Sequence, residues 1–212
     1  MRKLFILLFL LGLVTLWADE NAADPVKAYL ESPDISGFQA AVAQLSTQLG
    51  NEDSDFRARL YLHHLCDLEA RRMLDGLIAD ADSLAPGERF SLANYLLGKE
   101  DYQTAVQLYD AINEDLPNWS CPWRHKGEAL YKLEDYQRAM TALEQAIATN
   151  QNHYDAYIWM ARAQKELGLY PDALANLDRA RKLNPGEEGH EDEEIPAEDI
   201  DKLYKELQEL LR

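Results

Sequence analysis

The chain has 212 residues, 47% hydrophobic and 28% charged, which suits one folded domain or one repeat array. Its net charge of −17 excludes the basic footprint of a nucleic-acid binder, and an acidic surface repels anionic lipid. Two cysteines are too few for a disulfide scaffold, and a core of this size needs none.

Residues 1–18 read as a signal peptide: Arg2 and Lys3 open it, Leu4 to Trp17 is an unbroken apolar run, and Ala18 precedes Asp19. The apolar run of 14 is shorter than the roughly 20 residues that span a bilayer, so no membrane span is expected after the signal is removed. The expected destination is the periplasm of a bacterial envelope, with secretion as the alternative.

Residues 24–51 predict a pair of N-terminal helices, either a cap or a degenerate repeat. Asp24-Pro25 is a cap followed by a first-turn proline, and Pro33 stops the helix that carries Val26, Tyr29 and Leu30. Ser36-Gly37-Phe38-Gln39 has capping-box spacing, Phe38, Val42, Leu45 and Leu49 come next at helical spacing, and Gly50 closes the second helix.

From residue 52 a 34-residue period runs through the chain, the mark of a helical solenoid. Three units carry it clearly, 86–119, 120–153 and 154–187, each predicted as two helices. Expected first helices are 87–98, 121–133 and 154–167, and second helices 102–115, 136–149 and 170–183. Gly98 and Gly168 mark ends of first helices, and Pro117 and Pro185 stop second helices. Ala93, Gly127 and Ala161 form a small-residue column on first helices, and Ala105, Ala139 and Ala173 form one on second helices. Helices approaching to about 8–10 Å leave no room for a large side chain where they cross.

Residues 52–85 keep the same register loosely, with Asp67-Leu68-Glu69 one period before Asp101-Tyr102-Gln103. They are assigned as a divergent repeat, although the lack of Gly or Pro between Asp55 and Asp75 also allows one long helix. Residues 186–195 are an acidic linker, and 196–212 a last amphipathic helix with Ile200, Leu203, Tyr204, Leu207, Leu210 and Leu211 on one stripe.

Laid out in these columns, the chain resembles the tetratricopeptide repeat (TPR) family, specifically in 86–187 and more weakly in 52–85. The residues that carry the resemblance are Trp123 or Tyr157 early in a first helix, the Ala/Gly column, Tyr102, Tyr136 and Tyr170 at the turn, and the second-helix Ala. The resemblance implies an all-α fold, a right-handed α-solenoid of TPR helix pairs with a C-terminal capping helix. It also implies a concave face lined by first helices, where a protein or peptide partner binds. Carried over by column, the partner-binding residues would be Phe90, Asn94, Arg124, Glu128, Tyr131, Lys132, Ile158, Arg162 and Lys165. Their mixture of aromatic and basic groups fits a partner segment with acidic and apolar side chains. Members that grip a chaperone's C-terminal carboxylate use Lys and Asn where this chain has Phe90 and Glu128, so a cochaperone role is not implied. In the repeat frame Cys66 falls at a turn and Cys121 at a helix start, about 20 Å apart at 1.5 Å per residue, so two free thiols are expected.

No phosphate-cradling Gly loop, GxSxG, HExxH or CxxC is present, and neither cofactor nor catalysis is expected. His63-His64 are helix neighbours that face different ways, so they do not make a metal pair. The alternative to a transient adaptor or assembly factor is a constitutive structural subunit of a cell-envelope complex.

Overall fold

The computed structural model describes residues 25–50, 55–183 and 197–212, which hold ten α-helices, one short 3-10 turn and no strand. The expected signal peptide and acidic linker lie outside the described residues. The chain falls into two compact units, 1–79 and 80–212.

The N-terminal unit contains α1 (Pro25–Glu31), α2 (Ile35–Ser46) and α3 (Asp55–Ala79). Val26, Tyr29, Leu30, Ala41, Leu45 and Leu65 form its core. The cap of α2 is Asp34, whose side chain accepts from the Gly37 N–H at 2.7 Å, two residues before the expected Ser36. Deep in this unit, Arg72 holds both oxygens of Glu69 (2.6 and 2.7 Å), and the Tyr29 hydroxyl donates to the same carboxylate at 2.7 Å. The Arg72 bonds outweigh the cost of burial and hold the Glu69 carboxyl down at about 2.

The divergent repeat expected over 52–85 is instead one unbroken helix of 25 residues. The reason is visible at Asp67, which occupies the column of the capping residues Asp101 and Asp135. Asp67 is held by Arg71 one turn later (2.9 Å) rather than by the backbone of a new helix, and nothing nearby breaks the run. Cys66 therefore sits within a helix rather than at a turn, exposed, while Cys121 is buried; the two are not joined by a disulfide.

The second unit is a stack of helix pairs: α4 (Pro86–Gly98) with α5 (Tyr102–Asp115), α6 (Ser120–Lys132) with α7 (Tyr136–Thr149), and α8 (Tyr154–Glu166) with α9 (Tyr170–Lys182). A final helix, α10 (Ala197–Leu210), packs on α8 and α9. Both small columns are buried at the helix crossings. Gly127 shows why the column exists: a Cβ there would lie 2.5 Å from Leu143 Cγ on the paired helix.

All three pairs turn the same way. The N–H of Asp101, Asp135 and Leu169 returns to the carbonyl five residues earlier, at 3.0, 2.9 and 2.8 Å. The residue before each is left-handed: Glu100 (φ 64°), Glu134 (φ 62°) and Gly168 (φ 76°). Gly98 is the last helical residue of α4 and the turn it was expected to make falls on Glu100. A left-handed backbone costs a non-glycine residue about 1–2 kcal/mol, so the two glutamate turns form against local preference. In these two pairs the second helix offsets that cost through its cap: Asp101 accepts from the Thr104 N–H and Asp135 from the Arg138 N–H, both at 3.3 Å.

Candidate functional site

The first helices α4, α6 and α8 lie side by side, so a period of 34 residues brings their equivalent positions together. Two features result, one buried and one open.

The open feature is a groove of about 360 Å³ lined by Tyr131 and Lys132 from α6, Trp159, Arg162 and Lys165 from α8, and Asp199, Lys202, Leu203 and Glu206 from α10. Its aromatic part is built from Tyr131 and Trp159, with ring centroids 5.4 Å apart. The Arg162 guanidinium lies 4.4 Å from the Trp159 ring centre and the Lys132 ammonium 5.8 Å, both within cation–π range. Among the described residues, neither cation has a carboxylate within ion-pair distance. Lys165 differs, since its ammonium donates to Glu206 of α10 at 2.8 Å. That bond pushes the Lys165 ammonium up and holds the Glu206 carboxyl down. Burial, with help from the Glu166 charge, raises the Tyr131 phenol.

The buried feature centres on Arg124, which is 5% exposed. Its Nη1 donates to Glu128 at 2.7 Å, and Nη2 lies 4.0 Å from Asp155 of α8. Nη2 is also 2.8 Å from His125 Nε2; arginine only donates, so this ring nitrogen is the acceptor and carries no proton. Burial pushes the Glu128 carboxyl up, and the charges of Arg124, Lys132 and Arg162 pull against that.

Of the nine residues assigned to a partner-binding face, Tyr131, Lys132, Arg162 and Lys165 line the groove. The others are placed differently. Ile158 has no exposed surface: it is core beneath α10, clustered with Ile200, Leu203 and Leu207, because α10 covers the last repeat. Arg124 is a buried structural cation, and Glu128 is its partner. Asn94 accepts from the Tyr109 hydroxyl at 2.7 Å, and the Phe90 ring packs against Trp119 (4.7 Å) and His125 (5.2 Å). Residue columns alone missed Trp159. Its signal was the aromatic residue three positions before Arg162, on the same helix face as that cation.

The chain is similar to known proteins. A family model described as tetratricopeptide repeat matches residues 130–191. Tetratricopeptide repeat protein 12 of Mus musculus is 27% identical over 115 residues, covering 54% of this chain and 15% of that protein. Protein bimA of Emericella nidulans is 22% identical over 134 residues, 63% of this chain and 16% of its own length. The matched stretch thus spans about a sixth of these curated relatives. Among solved structures, the TPR2B domain of yeast Sti1 in its pHsp70 complex is 27% identical with a TM-score of 0.52, covering 58% of this chain and 96% of that one. The first TPR of Spaghetti (RPAP3), bound to the HSP90 peptide SRMEEVD, shares the fold at 16% identity with a TM-score of 0.52, covering 59% of this chain and 92% of that one. With the periodic small columns, the common turn and the stacked helix pairs, these matches identify residues 130–191 as tetratricopeptide repeat sequence and show that the chain has the fold of that family.

Proposed function

We propose that this chain is an exported protein-interaction module whose groove between α6, α8 and α10 binds a partner segment rich in acidic and apolar side chains. The observation that carries the reading is the pair of cations, Lys132 and Arg162, stacked on Trp159 in a chain of net charge −17. Cations held against the buried Trp159 indole attract carboxylates, while the half-buried Tyr131 ring beside it offers apolar surface, which is peptide recognition rather than catalysis. The same overall charge argues against nucleic acid as the partner. The Spaghetti structure supports the class of ligand, since the peptide named with it, SRMEEVD, combines three carboxylate side chains with Met and Val. The departures at Phe90 and Glu128 weigh against a chaperone tail as the particular partner.

Binding in the micromolar range, about −8 kcal/mol, is expected for a labelled glutamate- and leucine-rich peptide, EELEELEEL, and little for KKLKKLKKL. Lys132→Glu with Arg162→Glu should weaken EELEELEEL at least tenfold in fluorescence anisotropy, with the thermal melt unchanged because both side chains reach solvent. Equal affinity for the two peptides, or no loss in the double variant, would falsify the reading.

Export rests on the basic start, the apolar run Leu4 to Trp17 and Ala18. N-terminal sequencing of the chain recovered from its native envelope fraction should begin at Asp19; a chain that retains Met1 in the cytoplasmic fraction sinks this part of the proposal.

A further inference from the structure

The groove has three cations on its α6–α8 side, and they are not equivalent. Lys132 and Arg162 stand over Trp159 without a carboxylate partner among the described residues, whereas Lys165 is already neutralised by Glu206. We infer that α10 is a wall of the binding groove and that Glu206 is a built-in competitor, occupying at Lys165 the place that a partner's carboxylate takes. This role rests on the groove being the binding site and adds how that groove selects what enters it.

The geometry makes such an exchange feasible without moving α10. The helix is anchored elsewhere: Ile200, Leu203 and Leu207 are buried in one cluster with Ile158, Ala161 and Leu177. Arg181 adds an ion pair to Asp201 and lies 3.9 Å from the Tyr204 ring centre. Glu206 is not part of that anchor. Its side chain is 40% exposed and that of Lys165 28%, so the carboxylate can rotate into solvent while the helix stays docked. A partner carboxylate then replaces one ion pair by another. A neutral partner group at the same place would strand Lys165 without its counter-ion, so the contact selects for a carboxylate there. Apparent affinity falls by the fraction of time that Glu206 holds the site.

The test uses the full chain and the EELEELEEL peptide. Glu206→Gln is expected to tighten binding about three- to tenfold. Glu206→Asp keeps the charge but shortens the reach to Lys165, and should tighten binding too. Glu144→Gln, an exposed position on α7 outside the groove, removes one charge and should leave affinity unchanged. In a Lys165→Gln background, Glu206→Gln should give no gain. If the parent binds and the Glu206 variants do not tighten it, or Glu144→Gln tightens it equally, the competitor inference is overturned while the groove reading stands. If neither parent nor Glu206→Gln binds, the groove reading falls and takes the inference with it.

Discussion

Gly127→Ala is expected to destabilise the 80–212 unit by about 2 kcal/mol, although alanine is the better helix former. Two effects oppose each other. Replacing a mid-helix glycine gains about 1 kcal/mol in propensity. Against this, the new Cβ would stand 2.5 Å from Leu143 Cγ and 2.7 Å from Cδ2. Leu143 is fully buried on α7 and is approached at Cγ, not only at its methyl ends, so overpacking costs about 3 kcal/mol, the upper part of its usual range. Overpacking wins. Leu143→Ala alone should cost about 3 kcal/mol by leaving a cavity. In that background Gly127→Ala should become neutral or stabilise by up to about 1 kcal/mol, because the clash is gone and the propensity gain remains. Urea unfolding of the four chains gives the coupling, and an equal cost of Gly127→Ala in both backgrounds would show that the column has another cause.

A loss of about 2–3 kcal/mol is expected for Arg124→Ala, and it should shrink on acidification. Arg124 is buried and satisfies Glu128; removing it leaves a carboxylate facing low dielectric, which typically costs about 3–5 kcal/mol. The 20% of the Glu128 side chain that reaches solvent lowers that figure. The pH dependence comes from the direction of the Glu128 shift, already upward through burial and opposed chiefly by Arg124. Without Arg124 it rises further. A carboxyl raised in the folded state penalises folding above its folded pKa and ceases to do so below the unfolded value. The variant should therefore recover relative to the parent as pH falls from 7 toward about 4, near the unfolded carboxylate value. A deficit of the same size at both pH values would mean that Glu128 is not the group left exposed to the loss. Arg124→Glu for the same reason reports on folding, not on partner binding, and the groove is better tested at Lys132 and Arg162.

The repeats were legible because every repeat meets the same packing problem, and the sequence answers it with the same residue type every 34 positions. Gly127 and Ala161 at their crossings are the clearest case. Residues 55–79 were less so, because the register continues through Asp67 while the turn does not. A column marks where a turn could form; only the bond that Asp67 makes to Arg71 shows that none did. The site was legible in half. Lys132 and Arg162 are found from the period, but Ile158, assigned to the open face by its column, is interior. Its burial depends on where α10 docks, and residues 184–196 between the two helices carry no pattern that places it. Arg124 is a related case: its column put it on the open face, whereas it is buried, which Glu128 one turn along the helix and Asp155 on the next repeat make possible.

The stacking of α4 to α10 also has a kinetic side. The principal contacts within residues 80–212 join each helix to the next one or the next but one. Folding such a chain closes only short loops, each at a small entropic cost, and sets no long-range pairing as a precondition. The pair α6–α7, supported by neighbours on both sides, is the natural starting point, from which order spreads one helix at a time toward α4 and toward α10. On the C-terminal side the last helix to arrive is then α10, so the groove exists only once α6 to α10 have all formed.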